Sequence, residues 1–228
     1  MLSRQFYERY WKRPGSAIPE VDDTTEQRKR LLANSLHQLL PALNGSNHAP
    51  ARVLDAGCGN GEFSVFIEQL GFQVYGTDLA TGAIEKAKRQ SPTIGFSVAS
   101  VEEGLPYRAE EFSAIWNTEV IEHLFDIHAC LSEFNRILRD RGVLVLTTPF
   151  HGLIKNVIVS TTSFDRHFDP YISHIRFFDK HSLSKCLKNA GFEPISWCGV
   201  GRFWPVYKSF FVVSKKMRLP NSAPDIAG

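Results

Sequence analysis

Short runs of β-branched, aliphatic and aromatic residues alternate with longer amphipathic stretches along most of the chain. Several of the short runs end at Gly or Asp, which is typical of buried strands. We predict strands over residues 52–55, 73–78, 94–99, 112–117 and 143–148. Apolar positions at helical spacing between them predict helices over residues 62–70, 80–90 and 127–139, with Gly142 as the stop of the last one.

The order of these elements determines the expected fold class. Strands joined by crossover helices favour a parallel sheet that is covered on both faces, with ligands bound beyond the carboxyl ends of the strands. Two more strands, over residues 193–199 and 208–213, follow a helix at 182–190 and are close enough in sequence to pair antiparallel. We therefore predict an α/β fold: a doubly wound, Rossmann-like sheet of seven mostly parallel strands with an antiparallel last strand.

Segments outside this pattern set the predicted domain organisation. Residues 51–216 form the main domain, and residues 1–50 form an N-terminal helical extension in which residues 22–40 are an amphipathic helix. Residues 150–178 mix Gly, Pro, His and aromatic residues without a clear period. Long irregular connections are usually functional or mobile, so we predict a lid insertion after strand five. Residues 217–228 are predicted to be a flexible tail.

The composition narrows the class of protein. A hydrophobic fraction of 43% in 228 residues is too high for a disordered chain, and 26 basic against 24 acidic residues do not favour nucleic acid as a partner. The four cysteines form no CxxC pair, which argues against a structural zinc site and against a disulfide framework. Because we find no secretion signal and no apolar stretch of membrane-spanning length, we expect a cytoplasmic protein without a transmembrane segment.

The most specific motif follows the first predicted strand. Asp55 is followed by three glycines at alternate positions, Gly57, Gly59 and Gly61, and a helix begins directly afterwards. Glycines allow a tight turn and a close approach of the backbone to a ligand, while the helix start offers free N–H groups. Asp78 ends the second strand, where a carboxylate accepts hydrogen bonds from both hydroxyls of a ribose. Together these residues predict a nucleoside-binding site.

The spacing of the glycines argues against a dinucleotide. The NAD fingerprint GxGxxG, counted from Gly57, needs a glycine where this chain has Glu62. The carboxylate of Asp55 would also be unfavourable beside a pyrophosphate, whereas it suits a ligand with an ammonium group. S-adenosylmethionine is such a ligand.

The motifs DAGCGNG at 55–61 and GTDLA at 76–80 carry a resemblance to a known family. They resemble the class I S-adenosylmethionine-dependent methyltransferases, and the resemblance extends over about residues 51–215. It implies S-adenosylmethionine as the cofactor, with its methionine portion on the glycine loop.

The resemblance also implies where the nucleoside of the cofactor binds. Asp78 would bind the ribose, and Leu79 would pack on the adenine. The acid that many relatives carry after strand three is absent here. Ser100 and the backbone of Val101 are therefore the expected contacts near the adenine amino group, and Asn117 completes the predicted cofactor set.

Residues 117–124, after the fourth strand, resemble a segment of the ubiquinone-biosynthesis-type O-methyltransferases. If a helix begins near Glu119, then Glu119, Glu122 and His123 stand at i, i+3 and i+4 and project from one face. In the resembling enzymes, and in small-RNA 2′-O-methyltransferases, such an ExxEH arrangement binds a divalent metal, here Mg²⁺ or Zn²⁺. The alternative is that Glu122 and His123 only stabilise the start of a helix, with His123 acting as a general base.

Other residues are candidates for contact with the methyl acceptor. Tyr10 and Trp11 belong to an N-terminal aromatic cluster that could cover the mouth of the cleft. His151 and His174 lie at the two ends of the predicted lid, and either could supply a fourth metal ligand. The apolar run at 153–159, or the aromatic region at 203–211, could form a peripheral membrane contact for a lipid-like acceptor, although such runs are more often buried core.

These features favour a methyltransferase that transfers a methyl group from S-adenosylmethionine to an oxygen of a small-molecule acceptor such as a phenol, a sugar or a lipid-like hydroxyl. Two alternatives stay open. One is an RNA ribose 2′-O-methyltransferase with a metal-assisted ExxEH site, and the other is a non-catalytic methyltransferase-like partner subunit. The sequence indicates no oligomeric state.

Overall fold

The computed structural model describes residue 8 and residues 23–40, 50–168 and 174–217. Within these ranges the elements follow in this order: α1 (Thr25–Leu39), β1 (Arg52–Ala56), α2 (Glu62–Gln69), β2 (Gln73–Asp78), α3 (Thr81–Gln90), β3 (Gly95–Val98), β4 (Phe112–Thr118), a 3₁₀ turn (Ile121–His123), α4 (Ile127–Ile137), β5 (Leu138–Pro149), α5 (Leu153–Thr162), α6 (Phe164–His167), α7 (Lys180–Asn189), β6 (Phe192–Val200) and β7 (Ser209–Lys216).

The seven strands form one sheet in the order β3-β2-β1-β4-β5-β7-β6. Strands β1 to β5 are parallel to one another, whereas β7 is antiparallel to both β5 and β6. The predicted fold class, including the antiparallel last strand, is confirmed. The strand order reverses between β1 and β4, so the loops that leave these two strands border the crevice in which ligands bind in open α/β sheets.

The alternation of side chains along the strands divides the core between the two faces of the sheet. Leu54 and Ile115 contribute to one buried cluster, which α4 and α7 cover, while Val53 and Trp116 contribute to a second cluster on the opposite face. Because helices cover both faces, the strands read as nearly continuous apolar runs. This is the pattern from which the strands were predicted.

Among the strands, the largest difference between the predicted and the observed bounds is the start of β5. The strand begins at Leu138, directly after α4, and not at 143. Leu138 is fully buried and pairs with Phe112 of β4, which favours an extended backbone at this position. The prediction that Gly142 stops the preceding helix is therefore wrong, since α4 ends at Ile137 and Gly142 lies within the strand.

The insertion at 150–178 is more regular than expected. It contains α5 and α6, and the part from residue 174 onward returns to the sheet through a bridge between Phe150 and Phe178. The candidate acceptor residues Tyr10 and Trp11, and the tail from residue 218 onward, lie outside the described residues. Among the helices that are described, none has the length and apolarity that crossing a membrane requires.

Candidate functional site

The turn between β1 and α2 depends on its glycines. The φ angles of Gly57, Gly59 and Gly61 are positive, at 80°, 53° and 90°. Residues other than glycine rarely adopt such angles. A Cβ atom at Gly57 would lie 2.4 Å from Cγ2 of Val120, in the loop after β4. The turn is therefore in direct contact with the segment that carries Glu122 and His123.

Asp78 connects this turn to the end of β2. Its Oδ2 accepts a hydrogen bond from the Gly59 N–H at 3.0 Å, and its Oδ1 accepts one from the Ala80 N–H at 2.9 Å. The carboxyl group is half-buried; burial raises its pKa, while the backbone donors act in the opposite direction. The carboxylate is thus held in a fixed orientation at the rim of the crevice.

A crevice of about 380 Å³ opens beside Asp78. Its lining comes from the ends of β2 and β3 and from the loop after β3: Leu79, Val98, Ala99, Ser100, Glu103, Gly104, Leu105 and Pro106. Two of the residues predicted to contact an adenine, Leu79 and Ser100, therefore line one cavity. Val101 is not one of the lining residues, and its side chain is buried in the core, so a contact of its backbone with the adenine stays a prediction.

Asp55 and Asn117 lie behind the glycine turn and not in the crevice. Both side chains are fully buried. The Asp55 Oδ2 accepts a hydrogen bond from the Ser64 hydroxyl at 2.6 Å, and Asn117 Nδ2 donates to the carbonyl of Ala56 at 2.7 Å. Burial raises the pKa of Asp55 to about 7. The Oδ1 atoms of both side chains have no hydrogen-bond partner among the described residues. Direct contact of Asp55 with an ammonium group stays a prediction.

The segment after β4 does not form the predicted helix. Glu119 has a φ of 51°, in the left-handed region, and only a 3₁₀ turn follows at Ile121–His123. The Glu119 carboxylate accepts a hydrogen bond from the Thr147 hydroxyl at 2.8 Å and pairs with Arg28 of α1 at 3.2 Å. The predicted common face of Glu119, Glu122 and His123 is therefore wrong, because Arg28 and Thr147 hold the Glu119 side chain away from it.

Glu122 is a fully buried carboxyl group at the centre of the site. Its Oε2 accepts a hydrogen bond from the Thr148 hydroxyl at 3.1 Å, while its Oε1 has no hydrogen-bond partner among the described residues and lies 3.8 Å from Nε2 of His123. Burial, reinforced by the nearby charge of Glu119, raises the pKa of Glu122 well above its usual range. The site thus contains an unsatisfied buried oxygen, which is uncommon in folded proteins.

His174 takes the place that was predicted for Glu119. The ligand-type atoms of Glu122, His123 and His174 all lie within 4.8 Å of one another. The N–H groups of Ile175 and Arg176 both donate to the carbonyl of Glu122 at 3.0 Å, which fixes the start of this returning segment on the site. Burial and the neighbouring histidines lower the pKa of His174 to about 4, so its imidazole is neutral at pH 7.

His151 lies at the end of β5, near the same histidines. Its backbone N–H donates to the carbonyl of Phe178, and its Nδ1 is 3.3 Å from Oδ1 of Asn156. The buried Nε2 has no hydrogen-bond partner among the described residues. Burial and the charge of Lys155 lower the pKa of His151 to about 4.

Two residues of the site, Arg28 and Thr148, were not predicted from the sequence. Arg28 belongs to a run of basic residues in an amphipathic helix, where a charged side chain is ordinarily solvated, yet it is buried against Glu119 and Ser209. Thr148 could have been found, because it stands at the carboxyl end of a parallel strand, where ligands of such sheets bind.

The parallel sheet, the glycine turn and the crevice beside Asp78 define a Rossmann-like nucleoside-binding fold of the class I methyltransferase type. A family profile described as a methyltransferase domain matches residues 24–196. The chain therefore belongs to the S-adenosylmethionine-dependent methyltransferase family.

Comparisons with individual proteins agree with this assignment. The chain is 31% identical over 152 residues to a malonyl-[acyl-carrier protein] O-methyltransferase of Hamiltonella defensa, covering 63% of this chain and 58% of that protein. It is 30% identical over 148 residues to a probable S-adenosylmethionine-dependent methyltransferase of Mycobacterium tuberculosis, covering 65% of this chain and 51% of that protein. The chain thus spans only about half the length of these curated relatives.

A solved structure extends the similarity of the fold to nearly the whole chain. The 1,6-didemethyltoxoflavin-N1-methyltransferase of Burkholderia thailandensis, with bound S-adenosylhomocysteine, superimposes with a TM-score of 0.67 over 95% of this chain and 88% of that chain. The sequence identity is 20%, so this similarity concerns the fold alone.

Proposed function

We propose that the chain transfers a methyl group from S-adenosylmethionine to an oxygen atom of a small-molecule acceptor. The observation that carries the proposal is the contact between Gly57 and Val120, which joins the glycine turn directly to the Glu122–His123 segment. A donor held on the turn would therefore present its methyl group to the basic side chains of that segment. Proximity of this kind contributes much of the rate of a bimolecular transfer.

The residues of the crevice have distinct proposed roles toward the donor. The Asp78 carboxylate accepts hydrogen bonds from the ribose hydroxyls, with its oxygens already oriented by the N–H groups of Gly59 and Ala80. Leu79 and Ser100 bind the adenine in a cavity whose volume of about 380 Å³ lies within the usual range of small-molecule sites. Asp55 and Asn117 fix the turn through their hydrogen bonds.

The proposed reaction is a single in-line displacement. A lone pair of the acceptor oxygen forms a bond to the methyl carbon, and the electron pair of the carbon–sulfur bond returns to sulfur, which yields S-adenosylhomocysteine. When the acceptor is a hydroxyl, its proton is transferred to His123. His123 is the proposed general base because it comes shortly after Val120, the residue that contacts the turn, and because its Nε2 lies 3.8 Å from Oε1 of Glu122.

A carboxylate is a second candidate acceptor, because the first curated relatives are named malonyl-[acyl-carrier protein] O-methyltransferases. A carboxylate oxygen is already deprotonated, so its methylation requires no base. The replacement His123→Ala would then leave turnover with a malonyl thioester largely intact but would abolish turnover with a phenol or an alcohol.

Isothermal titration calorimetry tests the donor site directly. We expect the folded chain to bind S-adenosylmethionine and S-adenosylhomocysteine, and Asp78→Ala to weaken both by at least about tenfold, because hydrogen bonds to a charged group contribute roughly 1.5–3 kcal/mol each. Glu193→Ala, which removes an exposed carboxylate on β6, is the matched control. Absence of heat with either compound would contradict the proposal.

A screen for S-adenosylhomocysteine release tests the transfer itself. The panel should contain phenols, sugars, lipid-like alcohols, a malonyl thioester and short RNA. Turnover with any of them excludes a non-catalytic partner subunit, and turnover with RNA alone would overturn the small-molecule acceptor.

As an alternative to His123 acting as a general base, we further propose that Glu122, His123 and His174 bind a divalent cation. An imidazole that ligates a cation has no lone pair left to accept the proton of the acceptor. The fit is supported by the unsatisfied Oε1 of Glu122, by the neutral imidazole of His174 and by the spacing of the three groups within 4.8 Å. Two imidazoles and one carboxylate suit Zn²⁺ better than Mg²⁺, which prefers oxygen ligands. When bound, such a cation would lower the pKa of an acceptor hydroxyl.

Metal analysis separates this proposal from the one on methyl transfer. After removal of metal with a chelator, titration with Zn²⁺ should give one bound ion per chain, and His174→Ala should abolish binding. The discriminating control is Glu119→Gln, since Glu119 belongs to the ExxEH motif but its carboxylate pairs with Arg28. If Glu119→Gln lost zinc binding and His174→Ala retained it, the ligands would instead be Glu119, Glu122 and His123, as the motif predicts.

A further inference from the structure

Helix α5 exposes its apolar side chains and buries a charged one. Leu153, Ile154, Val157 and Ile158 are all exposed, Leu153 by 81%, and their i, i+1, i+4 and i+5 spacing places them on one side of the helix. Lys155 is buried and donates hydrogen bonds to the carbonyls of Phe150 and Lys208. The helix is therefore held to the domain through a polar contact, and its apolar side lacks cover in the described structure.

The connection between β6 and β7 presents a second exposed apolar group beside this helix. Phe203 is 72% exposed and Trp204 is 69% exposed. The hydrogen bond from Lys155 to the carbonyl of Lys208 joins α5 to this connection, and the rings of Phe150 and Tyr207 pack edge to face at 6.2 Å between them. We call the combined surface the apolar face; its members are Leu153, Ile154, Val157, Ile158, Phe203 and Trp204.

The charged residues within the two segments that carry the apolar face are all basic. Residues 152–164 and 199–208 contain no Asp or Glu, and their charged residues are Lys155, Arg202 and Lys208. Lys208 pairs with Asp23 of the segment before α1, whereas Arg202 is exposed next to Phe203. Exposed aromatic rings beside a basic side chain are typical of regions that contact the polar layer of a membrane.

We propose that the apolar face binds to the surface of a bilayer that contains anionic lipids. Helix α5 would lie in the plane of the interface with its apolar side in the acyl boundary, and Trp204 and Arg202 would anchor the neighbouring connection among the headgroups. Large apolar side chains that are exposed in a group, as on α5, are unfavourable in water and mark an interaction site. The inference goes beyond the proposed methyl transfer and does not depend on it, because no residue of the face belongs to the proposed donor or metal site.

The position of the face has a consequence for the acceptor. The helix begins two residues after His151, whose ring packs against Phe177 at 4.8 Å, and Phe177 is itself exposed. The apolar face thus begins close in the chain to His151, one of the candidate acceptor contacts. A lipid-like acceptor would reach the site from the bilayer without crossing water.

Vesicle co-sedimentation tests the proposal with the full chain. We expect binding to vesicles of equal parts phosphatidylglycerol and phosphatidylcholine, and much weaker binding to phosphatidylcholine alone. The double replacements Val157→Ser with Ile158→Ser, and Phe203→Ser with Trp204→Ser, should each lower the partition coefficient by roughly tenfold or more, because each removes two large apolar side chains from the interface. Arg202→Gln should weaken binding only to the anionic vesicles.

The matched control replaces two exposed apolar residues outside the face, Ile195→Ser with Met217→Ser. It should leave the partition coefficient unchanged, and calorimetry with S-adenosylhomocysteine checks that every variant retains a folded donor site. The proposal is overturned if the folded chain does not sediment with anionic vesicles, or if the control lowers binding as much as the α5 variant. It is also overturned if sedimentation velocity shows a dimer that the α5 variant dissociates, because a second copy would then cover the face.

Discussion

Replacement of Gly57 by alanine tests the contact on which the candidate site depends. The residue has a φ of 80°, and a Cβ atom there would approach Cγ2 of Val120 to 2.4 Å. The left-handed backbone costs a residue with a side chain roughly 1–2 kcal/mol, and overpacking costs typically about 1–3 kcal/mol. We therefore expect Gly57→Ala to lower the free energy of unfolding by about 2–5 kcal/mol and to weaken the binding of S-adenosylhomocysteine.

Two further variants separate the backbone cost from the steric cost. Gly71 has a φ of 90°, but a Cβ atom there would have no neighbour within 4 Å, so Gly71→Ala carries the backbone cost alone. Alanine restricts the unfolded chain similarly at both positions, and this contribution cancels in the comparison. Val120→Ala in the Gly57→Ala background removes the clash, and the double-mutant cycle should return a favourable interaction energy of about 1–3 kcal/mol.

Urea unfolding of Gly57→Ala, Gly71→Ala, Val120→Ala, the Gly57→Ala/Val120→Ala double variant and the parent chain measures these differences. The predicted steric contact is contradicted if Gly57→Ala is no more destabilising than Gly71→Ala, or if Val120→Ala adds its own cost without relieving that of Gly57→Ala. Either result would mean that the turn and the segment after β4 are not in contact in solution. The proposed alignment of donor and base would then lose its support.

Three other perturbations have directions that follow from the structure. Folding raises the pKa of Asp55 from 3.8 to about 7, so the folded state favours the neutral carboxyl group and the free energy of unfolding falls as pH rises between these values. Asp55→Asn should remove up to about 4 kcal/mol of this pH-dependent loss. Urea unfolding at about pH 4 and pH 7 measures the difference. Arg28→Gln should lower stability by about 1–3 kcal/mol, because it leaves Glu119 without its partner, and adding Glu119→Gln should recover part of the loss in the same assay. Asp179→Ala should cost about 1 kcal/mol in thermal unfolding, because it removes the capping box of α7.

The fold was predictable because its signals are local. Strand lengths, helical spacing and the glycines after β1 depend on residues within one element or one turn, and strand β2 was predicted at its observed bounds. The start of β5 was not, because pairing of Leu138 with Phe112 joins residues on different elements. Helix α5 was not predicted for another reason. Its apolar side faces solvent, whereas prediction from hydrophobic patterns assumes that apolar residues are buried.

The candidate site shows the same division between local and distant causes. The spacing of Glu119, Glu122 and His123 fits one face of a helix, but spacing does not report the contact of Glu119 with Arg28 or the left-handed backbone that accompanies it. His174 was one of two histidines that the sequence offered as an additional ligand. What favours it over His151 is the pair of hydrogen bonds from Ile175 and Arg176 to the Glu122 carbonyl.

Three unusual features lie at or just after the carboxyl ends of β4 and β5, and they support a ligand site there. Oε1 of Glu122 and Nε2 of His151 are buried without hydrogen-bond partners among the described residues, and Glu119 has a left-handed backbone. An unsatisfied buried polar group costs roughly 1–3 kcal/mol, and a strained backbone position costs a similar amount. Bound ligands would supply the hydrogen bonds that these buried atoms lack and so offset this cost in free energy. The donor, the cation and the acceptor are proposed to meet at this place, the carboxyl ends of β4 and β5.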